Sequence, residues 1–78
     1  MAVIKDRLGN VIVQDDTKTL RELVVENKTH LAGAYLRDVD LRGLDLSHAD
    51  LRSAEFDGCK FAGVNLSNAN LSCTIFNA

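Results

Sequence analysis

His30, His48, Cys59 and Cys73 are the side chains here whose types suit proton transfer or nucleophilic attack. A histidine titrates near neutrality and can act as a general base. Catalysis, however, needs a base, a nucleophile and an orienting group on one side of a cleft. No Ser-His-Asp or Cys-His set with that disposition is legible, so no catalytic residue is assigned and the chain is read as a non-enzyme. Zinc chemistry lacks support too, because there is no CxxC and both histidines lie far in sequence from either cysteine. The glycines (Gly9, Gly33, Gly43, Gly58, Gly63) are spaced for tight corners and form no phosphate loop. No metal or cofactor is expected. Two cysteines allow one disulfide or none. A small secreted chain usually carries more of them at framework spacings, so both are read as reduced thiols of a cytoplasmic protein.

Composition narrows the function classes further. The 78 residues carry a net charge of −2, with 46% hydrophobic and only 5% aromatic side chains. One small domain fits that length, burying only about 60% of the surface of its unfolded chain. With so few aromatics, its core must come from many small aliphatic contacts or from repetition. A near-neutral balance argues against direct nucleic-acid binding, which needs a basic face. No stretch approaches the ~18 apolar residues of a membrane span. Asp6 interrupts the N-terminus where a secretory signal would begin its apolar run, so export is not expected.

A strict period organises the rest. From Thr29 the chain divides without a gap into ten five-residue units. Their third residue is always Leu or Phe: Leu31, Leu36, Leu41, Leu46, Leu51, Phe56, Phe61, Leu66, Leu71 and Phe76. First positions are small or aliphatic, while second and fourth positions are mostly polar. On an α-helix, successive third residues would rotate ~140° apart. On a flat strand, an odd spacing would flip them between faces. The pattern is consistent only if the backbone turns a corner once per unit. The third residue then always points inward with the first beside it, and turns of the coil stack ~4.8 Å apart.

Units such as Ala49-Asp50-Leu51-Arg52-Ser53 and Ala69-Asn70-Leu71-Ser72-Cys73 resemble the pentapeptide-repeat family, whose consensus is A(D/N)LXX. Leu44, large for a first position, and Ile75, apolar at a second position, depart from it. The resemblance implies a mainly β fold, a right-handed quadrilateral β-helix with four units per coil, here about two and a half coils. In that case residues i and i+20 stack. Arg37 then lies over Asp57, Asp40 over Lys60 and Phe56 over Phe76, with opposite-charge ladder pairs among them. First-position sizes also repeat in fours, whereas a fifteen-residue turn dissolves that pattern.

Residues 29–78 are thus the repeat column and residues 1–28 its N-terminal cap, in one domain. The runs Val3 to Leu8 and Val11 to Gln14 read as strands joined at Gly9-Asn10. Thr19 to Glu22 reads as a capping box opening a helix from about Leu20 to Lys28, with Leu20, Leu23 and Val24 on one side. Hairpin plus helix would form a lid over Leu31 and Leu36, since an open first coil exposes its apolar axis; an independent recognition element is the alternative. His30 falls on the outer wall, His48 at a corner, and Cys59 fills the core.

Two kinds of partner follow. No lid is legible at the other end, where Phe61, Leu66, Leu71, Ile75 and Phe76 form a candidate interface for an end-to-end homodimer. The resemblance agrees, because similar proteins commonly dimerise through the C-terminal coil. Tyr35, Asp40, Asp45, Asp50 and Glu55 form a candidate surface for an unidentified protein partner. The favoured function is a non-catalytic protein-interaction module. Its rival is a DNA-mimicking inhibitor of a nucleic-acid-processing enzyme, of gyrase-directed or phage anti-defence type, as some members of that family are. Mimicry fits the charges poorly. A ~12 Å length of duplex displays roughly seven negative charges. The repeat region has six acids offset by Arg37, Arg42, Arg52 and Lys60, and its four successive second-position acids girdle four walls.

Overall fold

Left-handed backbone recurs with the period of the sequence. The computed structural model describes residues 1–77, so Ala78, the last residue of the tenth unit, lies outside it. Every fifth position from Gly33 to Cys73 has positive φ, between 55° at Asp38 and 78° at Gly33. Four of these residues are glycines, which adopt such angles freely, while Asp38, His48, Ser53, Asn68 and Cys73 carry a side chain there. At most corners the first-position N–H donates to the third-position carbonyl three residues back, as Leu44 does to Leu41 at 3.1 Å. That bond, with positive φ at the third of four residues, is a type II turn. One such corner per unit lets an odd period keep the same side chains inside.

Coils are joined by two backbone bonds of fixed offset. Third- and fifth-position N–H groups donate nineteen residues ahead, as in Leu41 to Lys60 and Gly43 to Ala62, both 3.0 Å. Second-position N–H groups donate twenty-one residues back, as in Lys60 to Val39 at 3.0 Å. The register is therefore the expected i to i+20, seen at Asp40 with Lys60, Asp45 with Asn65 and Asp50 with Asn70. On the remaining wall the chain is regular strand: β3 (Ala34–Arg37), β4 (Glu55–Asp57) and β5 (Ile75–Asn77), paired in parallel.

The first 28 residues extend this wall. Strands β1 (Ala2–Asp6) and β2 (Val11–Asp15) form an antiparallel hairpin, and β1 pairs antiparallel with β3 through Lys5 opposite Tyr35 and Asp6 opposite Ala34. A single five-stranded sheet results, in the order β2-β1-β3-β4-β5, and the protein is mainly β. The hairpin differs from the two-residue turn expected at Gly9-Asn10. Its loop spans residues 7–10, because the Asp6 carboxylate accepts from the N–H groups of Leu8 and Asn10, both at 2.9 Å, and ends the strand there. Helix α1 (Leu20–Glu26) opens with the expected capping box: Thr19 Oγ1 accepts from Glu22 N–H, and Glu22 Oε1 from Thr19 N–H. It stops two residues short of Lys28. The Asn27 side chain donates to the Leu23 carbonyl at 3.0 Å, and a 3-10 turn over Lys28–His30 follows. His30 consequently sits in that turn, not on a repeat wall.

Third-position residues from Leu31 to Phe56 are buried, with Ile4, Leu23 and Val24 of the cap packed into the same core. Leu20 is half-buried. One coil further on, Leu71 is 37% exposed and Phe76 48%. Leu51 and Leu71 occupy the same column one coil apart, so Leu51→Ala is expected to cost about 2–5 kcal/mol in urea unfolding and Leu71→Ala, in dilute solution, well under half as much. Corner geometry supplies a second test. A Cβ on Gly58 would lie 2.5 Å from Asp38 Oδ1, whereas one on Gly43 meets nothing within 4 Å. Gly58→Ala should therefore destabilise more than Gly43→Ala, and Asp38→Ala should recover the excess in a double-mutant cycle.

Candidate functional site

Second-position side chains decide what each wall shows to solvent. Where that residue is Asp or Asn, its oxygen accepts the N–H two residues on: Asp40 from Arg42, Asp45 from Ser47, Asp50 from Arg52, Asn65 from Ser67 and Asn70 from Ser72, at 2.9–3.3 Å. These are Asx turns, which satisfy the chain locally and bend it out of regular strand. Where the second position is Tyr35, Glu55 or Ile75, the turn is unavailable and the segment becomes β3, β4 or β5. The corners after β3 and β4 likewise lack the type II turn bond among the described residues, and the Cys59 thiol, 3.3 Å from the Leu36 carbonyl, is placed to donate to it. Cys59 is half-buried, and burial pushes its thiol pKa up.

The same bend redirects the charges. Arg37 and Asp57 share a register position, as do Asp40 and Lys60, yet neither pair forms the expected cross-coil ion pair. Instead the Arg42 guanidinium folds back on Asp40 (2.7 and 2.9 Å) and that of Arg52 on Asp50 (both 2.8 Å). An Asx turn brings residue i+2 within direct reach of the carboxylate, closer than a side chain on the next coil. Lys28 lies 3.8 Å from Asp45, Arg7 3.7 Å from Glu55, and Arg37 3.6 Å from Asp38. The Arg42 guanidinium first, then its backbone N–H, hold the Asp40 carboxyl far below the usual range. Ser47 lowers Asp45 and Arg52 lowers Asp50, in each case mainly through the side chain.

Tyr35, Glu55 and Ile75 share one outer row of the sheet; Asp40, Asp45 and Asp50 each head a different wall. Asp45 is exposed and the other three acids and Tyr35 half-buried. The histidines are not brought together with a nucleophile: His30 contacts Thr29 Oγ1 and His48 stands exposed at its corner. Among the described residues no group of His, Cys, Asp or Glu could hold a metal ion. No helix is long and apolar enough to cross a membrane.

The two ends of the column differ. At the cap end, all four walls of the first coil are met by residues of the first 28. Strand β1 covers β3. Arg21 donates to the carbonyls of Asp40 (2.7 Å) and Arg42 (2.8 Å). The Lys28 carbonyl accepts from Asp50 N–H at 2.8 Å, and Lys28 Nζ lies 3.5 Å from Ser47 Oγ. Arg21 escaped the sequence reading; it stands nineteen residues before Asp40, the forward offset of the ladder, but twenty-one before Arg42, so only the first acceptor could be found by counting back one coil. At the other end Ile75 is 45% exposed and Leu71 and Phe76 are exposed with it, while Phe61 and Leu66 are half-buried. Phe76 stacks under Phe56 with ring centroids 5.4 Å apart, and Phe61 meets both edge-on.

Five-residue units stacked at a twenty-residue register around an aliphatic axis define a mainly β repeat fold. The family model for pentapeptide repeats (8 copies) matches residues 27–58 and 49–77, and the chain belongs to that family. No curated protein and no solved structure matches it.

The lowered carboxylates set a pH dependence. Their stabilisation is present above the ordinary carboxylate range, about pH 4, and is lost as pH falls through the depressed native values. Melting temperature should therefore fall between about pH 4 and 2. Asp45→Asn, which keeps an acceptor for Ser47 N–H as Asn65 does for Ser67, should flatten that fall while leaving the neutral-pH value nearly unchanged.

Proposed function

We propose that this protein is a non-catalytic protein-interaction module that works as an end-to-end homodimer. Its repeats are read as a right-handed quadrilateral β-helix of about two and a half coils, closed at one end by the hairpin and helix. The observation that carries the reading is the contrast between those ends: one is met on every wall, the other leaves Leu71, Ile75 and Phe76 exposed beside the half-buried Phe61 and Leu66. Apolar side chains next to strand edges are a surface that proteins cover. A second copy offers the same surface about a two-fold axis and closes the assembly at two. The outer row of Tyr35, Glu55 and Ile75, flanked by the acids of the other walls, is the proposed surface for a further protein partner. The free thiols of Cys59 and Cys73 suit a reducing compartment, and we place the protein in the cytoplasm.

Duplex mimicry is the weaker reading. A mimic needs uncompensated acids along one line. Here Asp40, Asp45, Asp50 and Glu55 each lie beside a cation of the same chain, and they stand on different walls.

Light scattering behind size exclusion should return twice the chain mass for the wild type, and the chain mass for a Leu71→Lys, Phe76→Lys double variant with unchanged circular dichroism. A wild-type monomer at micromolar concentration would remove the dimer.

A further inference from the structure

The outer face of the sheet carries one register row across all five strands. Lys5 stands opposite both Val11 and Tyr35, Tyr35 opposite Glu55, and Glu55 opposite Ile75. Directly paired residues share a face. Their chain neighbours Ile4, Leu36 and Phe56 are buried, so the row of Val11, Lys5, Tyr35, Glu55 and Ile75 looks outward. Four strand spacings of ~4.8 Å make it ~19 Å long. Both of its ends are exposed.

The order of side-chain types in that row is antisymmetric about its centre. An apolar residue stands at each end, Lys5 and Glu55 flank the middle, and the Tyr35 ring occupies it, with its hydroxyl 3.4 Å from Asp57 Oδ2. A two-fold axis lying between two such faces, parallel to the strands, reverses the row. It sets Tyr35 on Tyr35, Lys5 of each copy on Glu55 of the other, and Val11 on Ile75. An axis across the strands would instead oppose Lys5 to Lys5 and Glu55 to Glu55, which like-charge repulsion disfavours. Arg37 also lies near the favoured axis, and Asp57 opposite it in the register and Asp38 at 3.6 Å offset its charge. Arg7 lies 3.7 Å from Glu55. The face thus sets Lys5, Arg7 and Arg37 against Asp38, Glu55 and Asp57, and no net charge opposes the approach of a second copy.

We infer that the occupant of this outer row is a second copy of the chain, packed face to face about a two-fold axis along β3, with two Lys5–Glu55 pairs between the copies. This deepens the reading of Tyr35, Glu55 and Ile75 as a contact surface and rests on it, while it is independent of the open-end homodimer. Sheets packed in this way keep their strands within about 30° of each other. One wall of this size buries under about 1,200 Å² in total, the class of weak encounters, with a Kd on the order of 0.1–1 mM.

Sedimentation equilibrium of the full chain, followed from micromolar concentration to about 1 mM, should show the weight-average mass rise about 1.5-fold or more above its micromolar value. That reference holds whether the micromolar species is one chain or two. Lys5→Glu alone, or Glu55→Lys alone, sets like charges against each other twice. Each should hold the mass at its micromolar value, with β-type circular dichroism unchanged. An equimolar mixture of the two variants should restore the rise, because each reversed charge then meets its opposite. In wild-type protein mixed from differently isotope-labelled copies, the Val11 and Ile75 methyl groups should show an intermolecular Overhauser contact, since within one chain they stand ~19 Å apart. A flat wild-type mass, single variants that associate as the wild type does, or a mixture no better than its components would overturn the face-to-face pair. Should the charge reversals unfold the chain, the Val11–Ile75 contact decides, and its absence at about 1 mM overturns the pair as well. Binding of a different protein that Lys5→Glu abolishes, with no self-association, would keep the row as a contact surface and remove the second copy as its occupant.

Discussion

A backbone that must turn once every five residues, while the same side chain stays inside, is the constraint on which this structure depends. Positive φ at every fifth position is how the chain meets it. Asp38, His48, Ser53, Asn68 and Cys73 adopt an angle that costs an L-residue roughly 1–2 kcal/mol. The ladder holds three of them: Asp38 N–H donates to Asp57 at 2.8 Å, and His48 N–H to Ser67 and Ser53 N–H to Ser72 at 2.9 Å, so these corner residues are tied to the next coil by their own amides. Local strain and long-range bonding are thus set in the same residue.

Side-chain chemistry at the second position then chooses between two ways of crossing a wall. Asp and Asn bond their own backbone two residues on and make a compact bend, whereas Tyr35, Glu55 and Ile75 leave the backbone to pair as strand. Tyr35, Glu55 and Ile75 recur at intervals of twenty and so gather on one wall, which the hairpin extends by two further strands, whereas Lys60, also without an Asx side chain, follows the Asp40 wall as an isolated bridge. The bend also turns Arg42 and Arg52 onto their own acids, which makes the charged walls nearly self-neutralised. An apparent stripe of acids in the sequence becomes a set of closed ion pairs in the fold.

The ends follow from the directionality of the ladder. Third- and fifth-position amides donate to the next coil and second-position amides to the one before, so the first coil presents both carbonyls and amides to the N-terminal segment, as Asp40 and Arg42 do to Arg21 and Asp50 does to Lys28. Arg21, with two parallel donors on one rigid fork, suits a pair of carbonyls spaced as Asp40 and Arg42 are. No comparable group covers Leu71, Ile75 and Phe76 among the described residues.

Much of this was legible in the residues. The ten Leu and Phe positions determine the period and the inward face, because only a corner per unit reconciles an odd spacing with one buried side, while the twenty-residue register came from the family resemblance and the recurrence of first-position sizes in fours. Thr19 and Glu22 determine the helix start, since both capping bonds are local. The hairpin loop, the helix end, the ion-pair partners and the cap contacts were decided by tertiary structure. Asp6 had two amides within reach and Asp40 both Arg42 and Lys60 nearby, and only the closed coil fixes which group is nearer. The same leucine is buried at residue 51 and exposed at residue 71, because burial belongs to the coil stacked beyond it and not to the residue type.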